Sequence, residues 1–314
     1  MKLRNILLYI IMLTFTTTQV FANTNPVVSN VAFSISDTTV TVTYDLSDVD
    51  ASDTEFTVYM EVSDDNGTTW DFDYGVATGA IDSNVAEGTG KTITWTYSGK
   101  ANNNFKIKIL ADDLFGDQIY YAYKIYNTVT IGTQTWLKEN LDVGTMIISD
   151  SNHSGQQMAA NGAIEKYCYN NEPNNCAIYG GLYEWDEAMQ YVTTEGTQGI
   201  CPRGWHIPTH AEQQTLSNFV NNEATKLIDE NAHSGKTYTN ETGFSALFAG
   251  NRYYDDGGFT NLSFLTFFWS STERSGSGNS IFANDMHLIY SSSDVYFYNG
   301  YRKTDGFSVR CLKD

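Results

Sequence analysis

The run Cys201-Pro-Arg-Gly-Trp-His-Ile-Pro-Thr-His-Ala-Glu-Gln-Gln-Thr-Leu216 constrains the chain more than any other stretch. Pro202 fixes one backbone dihedral and Gly204 takes conformations that other residues avoid, so the run opens on a rigid turn that aims Trp205 and Ile207 inward. Thr209 followed by Glu212 has the form of a capping box, in which hydroxyl and carboxylate each satisfy an orphan backbone N–H, and a helix is predicted from this point. Leu216, Phe219, Val220, Ala224 and Leu227 recur at spacings of three and four, which sets them on one face and turns Gln213, Asn218 and Asn222 outward. That face needs a sheet to cover it. The closing Gly306-Phe-Ser-Val-Arg-Cys311 offers a strand, and the two segments together suggest a domain tied shut.

Other elements of residues 126–314 follow from pattern. Residues 129–131 and 133–137 read as a hairpin around Gly132 that buries Ile131 and Trp136. Residues 150–162 are polar and read as an exposed loop. Residues 184–191 suggest a short helix with Trp185, Ala188 and Met189 on one side. Phe244, Leu247 and Phe248 lead into an aromatic, acidic loop, Tyr253-Tyr-Asp-Asp-Gly-Gly-Phe259. Residues 265–270 read as a core strand, 281–290 and 295–298 as a hairpin across 291–294, and 307–312 as the closing strand. Few helices and many short strands fit an α+β domain.

Residues 23–125 alternate apolar and polar side chains with β-branched and aromatic bias, as in Val40-Thr-Val-Thr-Tyr44 and Phe105-Lys-Ile-Lys-Ile-Leu110, and turn formers separate the runs. Several short strands in about a hundred residues predict an all-β immunoglobulin- or fibronectin-like sandwich. Residues 120–126 read as its last strand or as a linker. Ser63-Asp-Asp-Asn-Gly-Thr-Thr-Trp70 has the Asp-box pattern of propeller hairpins. A propeller needs repeats and this motif occurs once, so it is expected to stabilise a turn, with Asp65 bonding backbone N–H groups and Trp70 packing over it.

Lys2 and Arg4 precede the apolar run Ile6–Leu13, and small residues stand at 20–22, the layout of a secretory signal over residues 1–22. The apolar run is shorter than the ~20 residues of a membrane span, and no later run is longer, so no membrane span is expected. Removing the signal carries the formal charge from −19 two units further. So acidic a surface repels nucleic acid and anionic lipid. The four cysteines, all in the second half, are an even number in a secreted chain and predict two disulfides with three possible pairings.

The order of motifs resembles a known family. Val129-Thr-Ile-Gly-Thr-Gln-Thr-Trp-Leu-Lys-Glu-Asn-Leu141, Tyr167-Cys-Tyr-Asn-Asn171, Tyr179-Gly-Gly-Leu-Tyr-Glu-Trp185, the Cys-Pro-Arg-Gly-Trp run, Trp269-Ser-Ser-Thr-Glu273 and the terminal Gly-Phe-Ser-Val-Arg-Cys look like the Fibrobacter succinogenes major paralogous (FISUMP) domain over residues 126–314. That family is in turn similar to C-type-lectin-like and formylglycine-generating-enzyme-like folds. The resemblance implies a C-type-lectin-like α+β domain behind a β-sandwich spacer, with Cys168 paired to Cys176 and Cys201 to Cys311.

Candidate chemistry is sparse. Glu172-Pro173-Asn174 is the tripeptide that C-type lectins use to hold calcium and hexose, but it precedes the helix entry where theirs follows it, and is expected to be a turn within a short disulfide loop. His206 and His210 stand four apart with Pro208 between them and no Glu after the first, so the helical zinc-protease arrangement fails. His153, His233 and His287 sit in unrelated contexts. There is no Gly-x-Ser-x-Gly elbow and no phosphate-cradling glycine loop. No cofactor and no metal are expected. The best binding candidate is Arg252, Tyr253, Tyr254, Asp255, Asp256 and Phe259, where rings can stack on a sugar or a protein and carboxylates can accept hydroxyl hydrogen bonds. With the loops 274–280 and 291–294 it would form the contact surface. The expectation is a non-catalytic recognition or adhesion protein, secreted or at the bacterial cell surface, that binds an extracellular glycan or surface protein. A structural envelope component and a glycan-active enzyme are the alternatives.

Overall fold

Period-two alternation in the first half forms strands, and their apolar positions meet in one core. In the computed structural model, residues 26–314 are described apart from 50–54, 69, 71, 73, 98–103, 114–117, 123, 151–154, 156 and 277–280. The expected signal and His153 lie outside the described residues. Strands β1 (Val27–Ser36), β2 (Thr39–Ser47), β3 (Phe56–Ser63), β4 (Ala77–Gly79), β5 (Asp82–Val85), β6 (Gly88–Thr96) and β7 (Lys106–Asp112) make two antiparallel sheets, ordered β1-β2-β6-β4 and β5-β3-β7. Val40, Val42 and Tyr44 of β2 and Ile93 and Trp95 of β6 pack with Phe56, Val58 and Met60 of β3. The Asp-box residues act as a turn. Ser63 Oγ accepts from Gly67 N at 2.8 Å, Asp65 Oδ1 accepts from Thr68 N at 2.9 Å, and the Lys108 ammonium lies 3.8 Å from the centre of the Trp70 ring.

The chain divides into two compact units between residues 115 and 116. This is earlier than the boundary at 125 read from the sequence, because β8 (Gln118–Tyr121) pairs with β9 (Lys124–Ile131) and Ile119 and Tyr126 pack in the core of the second unit. The predicted hairpin follows, β9 pairing with β10 (Gln134–Leu137). The unit continues through β11 (Thr145–Met146), β12 (Glu165–Lys166), α1 (Pro173–Tyr179), α2 (Trp185–Ala188), β13 (Trp205–His206) and α3 (His210–Phe219). It ends with β14 (Ala249–Arg252), β15 (Phe259–Leu262), β16 (Leu265–Glu273), β17 (Phe282–Ile289), β18 (Val295–Arg302) and β19 (Leu312–Lys313). The protein is thus rich in β-strand with few helices.

In the sheet β15-β14-β16-β17-β18 the three inner strands β14, β16 and β17 are largely buried, while β15 and β18 at its edges are not. Alternation along β16 sends Phe267 and Trp269 to one core, with Tyr183, Trp185 and Phe307, and Phe268 to the other, with Met286, Leu288, Leu216 and Phe244. The capping box starts α3 as predicted, Glu212 N donating to Thr209 Oγ1 and Thr209 N to Glu212 Oε2. The helix is shorter than its apolar spacing suggests. It ends at Phe219, with Asn221 and Asn222 in the left-handed region at φ 56° and 62°, and Ala224 is buried from a separate 3-10 turn. Gln213 is buried, against expectation. Its amide donates to the Phe268 and Trp269 carbonyls, where the register of β16 against β17 shifts and buried acceptors need a donor. Phe219, expected inside, is 56% exposed, and its ring lies against Gly132.

The closing segment ties the unit together. Leu312 pairs with both Trp136 and His206, Leu141 N donates to Val309 O, and Cys201–Cys311 bridges 110 residues of sequence. Cys168–Cys176 closes the second, local loop. Among the described residues no helix is long and apolar enough to cross a membrane.

Candidate functional site

The aromatic, acidic loop predicted from the sequence joins β14 to β15, and its six candidate residues divide between surface and interior. Tyr253 is 42% exposed, Asp255 and Asp256 are exposed, and Tyr254 is half-buried with its ring 4.9 Å from that of Tyr253. Asp256 Oδ1 accepts from Gly258 N, which spends one of its oxygens on the turn itself. Phe259 is half-buried with its ring 5.3 Å from that of Tyr169.

Arg252 is wholly buried and presents nothing to a ligand. Its guanidinium donates to Ser149 Oγ (2.7 Å), Thr304 O (2.9 Å), Gln157 Oε1 (2.8 Å) and Gly155 O (3.3 Å), lies 4.7 Å from the Tyr167 ring centre, and stands 3.6 Å from Glu184 Oε1. A fork of five donors suits an interior site lined by carbonyls, and this arginine fastens four chain segments under the loop.

Two buried carboxyls complete the platform. Glu184 Oε1 accepts from Tyr167 Oη at 2.7 Å and from Gln157 N at 2.9 Å, whereas Oε2 is buried without a hydrogen-bond partner among the described residues. Burial pushes the Glu184 carboxyl up to about 7. Asp305 accepts from Tyr254 N and Arg302 N, one on each oxygen, and burial also raises its carboxyl to about 7. The Arg302 guanidinium then lies 4.6 Å from the Tyr254 ring centre. The exposed tip Tyr253–Asp256 is therefore held by the backbone at one end and by an arginine against the ring. A rigid carrier with a small aromatic and acidic tip can stack a ring and accept hydroxyl hydrogen bonds.

Residues 129–313 match the family model of the Fibrobacter succinogenes major domain. The chain belongs to this family. No curated protein and no solved structure matches the chain. The match covers the second unit from the β9–β10 hairpin to the closing strand, and so takes in the loop, its platform and both disulfides.

Within the Fibrobacter succinogenes major domain the other sequence candidates take structural positions. Glu172-Pro173-Asn174 starts α1 where a turn was expected, with Glu172 as N-cap and the proline in the first turn, where its missing N–H costs nothing. His206 sits between Asp314 Oδ1 (2.7 Å) and Glu212 Oε2 (3.1 Å), and hydrogen bonding to Glu212 raises its pKa. His210 packs edge-on to Phe297, and His233 stacks on Tyr290. His287 Nδ1 is 2.9 Å from the buried Asp285 carboxylate, which burial lifts to about 6. The loop at 291–294 is partly tied down, since Ala224 N donates to Ser293 O. In the loop at 274–280, residues 277–280 lie outside the described residues. The stretch expected as an exposed loop at 150–162 includes the buried Met158.

Sequence reasoning missed Arg302, Asp305 and Glu184, which shape the tip from a distance of 48 to 70 positions along the chain as seen from Tyr254. The available signal was Arg302-Lys-Thr-Asp305, a charged run immediately before the family's closing motif.

Proposed function

We propose that this is a non-catalytic recognition or adhesion protein, secreted or held at the cell surface, that binds an extracellular glycan or surface protein through the Tyr253–Asp256 loop. In this reading the first unit is an immunoglobulin- or fibronectin-like spacer and the second a C-type-lectin-like domain. The observation that carries it is the contrast between the exposed Tyr253, Asp255 and Asp256 and the buried Arg252, Glu184 and Asp305 beneath them. Two disulfides support an oxidising, extracytoplasmic location. Of the carboxylates that a glycan-active enzyme would offer, Glu273 pairs with Lys303 and one oxygen of Asp256 holds its own turn.

The test is a screen of residues 23–314 against immobilised polysaccharides and surface proteins, with calcium and then with EDTA. Binding that Tyr253→Ala and Asp255→Ala each reduce at least tenfold supports the reading. Binding untouched by both variants removes the loop from it, and turnover of any glycan overturns the non-catalytic assignment.

A further inference from the structure

A cavity lies in the same unit, lined by residues that the loop does not use. It is open, with a volume of about 360 Å³, and is lined by Lys124, Lys138, Asn140, Tyr179 and Leu247, with Arg310 in its wall. Ile125 and Ile178 also line it and are 56% and 59% exposed, so apolar side chains stand at its solvent side.

Arg310 is the unusual member. It is 2% exposed, held between the Phe244 and Phe268 rings with its guanidinium carbon 4.3 and 5.3 Å from their centres. Nε and Nη2 donate to Asn140 Oδ1 at 3.1 and 2.7 Å, and Nη1 donates to Phe244 O. Asn140 is oriented for this by donating its own amide to Tyr179 O and Ser308 Oγ. Three of the five N–H groups of a guanidinium are thereby used. Among the described residues Arg310 forms no ion pair; Glu139 opposes its charge only from a distance, and its own carboxylate is spent on Asn127.

An unpaired buried cation is costly, because the interior does not replace the hydration it loses. Burial draws Arg310 down to about 9, consistent with a charge left without a counterion. Every other buried cation of the unit has a carboxylate: Arg252 has Glu184, and Lys303 has Glu273 and Asp186. Lys124 and Lys138 add positive charge to the same lining, against Glu139 and Asp229.

We propose that this cavity binds a small carboxylic acid with an apolar face, the carboxylate on the free N–H groups of Arg310 in the field of Lys124 and Lys138, and the body against Tyr179, Ile178 and Leu247. A planar guanidinium with N–H groups left on two terminal nitrogens fits a carboxylate. The volume is at the small end for ligand sites, which limits the occupant to about one ring. A sugar acid and an aromatic acid share this chemistry.

The test is calorimetric titration of the full chain with galacturonate and with benzoate, each beside its neutral counterpart, galactose and benzyl alcohol. At least one acid binds at least tenfold more tightly than its neutral partner, and the affinity falls with added salt. Lys124→Ala with Lys138→Ala weakens binding about fivefold to tenfold, and Arg310→Lys, which keeps the charge and loses the fork, weakens it further. If Arg310→Lys does not fold, the lysine pair and the salt series decide. Tyr253→Ala leaves acid binding unchanged, which separates this site from the loop. Equal affinity for acids and neutral partners, or no binding of either acid at 10 mM, overturns the proposal.

Discussion

Glu184 poses a question of magnitude that Glu184→Gln resolves. Its carboxyl is buried with one oxygen unpartnered among the described residues, and Arg252 at 3.6 Å is already satisfied by Ser149, Gln157 and Thr304. Desolvation therefore outweighs pairing, and the carboxyl rises from 4.5 to about 7. A folded-state pKa above the unfolded value means that the folded chain holds the proton more tightly. Stability from this group is complete below the unfolded value near 4.5 and is lost as pH rises through about 7. At about 1.4 kcal/mol per pKa unit, the loss is roughly 3 kcal/mol. Glutamine keeps an acceptor for Tyr167 Oη and Gln157 N and does not titrate. Urea unfolding is followed by tryptophan fluorescence, since Trp136, Trp185, Trp205 and Trp269 are all buried in the second unit. Between pH 4 and pH 8 the stability of Glu184→Gln relative to the parent should rise by roughly 3 kcal/mol. A difference that stays flat, or that moves in favour of the parent as pH rises, would mean that the Arg252 pair dominates and would refute the argument.

Three further outcomes follow from the fold. Replacing both cysteines of the Cys201–Cys311 bridge by alanine should cost about 5 kcal/mol on chain-entropy grounds, and removing Cys168–Cys176, with a separation of 8, about half as much; denaturant midpoints of the two variants would reverse if local strain governed instead. Thr209→Ala removes the hydroxyl half of the α3 capping box and should cost about 1 kcal/mol in the same assay, with no change expected if the cap were formed by Glu212 alone. Gly250 sits in β14 at φ 67°, and a Cβ there would lie 2.5 Å from Thr260 O, so Gly250→Ala should cost at least about 1–2 kcal/mol; a smaller loss would show that the β14–β15 connection yields easily.

Local chemistry was legible in the sequence. The Thr209–Glu212 cap, the β9–β10 hairpin, the period-two strands of the first unit and the core roles of Trp136, Trp185 and Trp205 all follow from rules that act within a few residues, and the structure has them. The family motifs led to the right disulfide partners, where spacing alone allowed three pairings. What spacing misjudged was set by where elements end and by neighbours remote in sequence. Gln213 turned inward because β16 carbonyls had to be satisfied, and Phe219 turned outward because α3 stopped beneath it. Residue 252 read as a surface arginine beside an acidic loop, yet its partners come from 149, 155, 157, 184 and 304, so only the folded chain could make it an interior tie. Arg310 is the same case, without a carboxylate partner among the described residues. Sequence specified its place in the closing segment, although strand pairing there is confined to Leu312–Lys313; the tertiary structure alone put Asn140 and two phenylalanine rings around it and left its charge unanswered, because burial and pairing belong to the assembled core rather than to any segment of the chain.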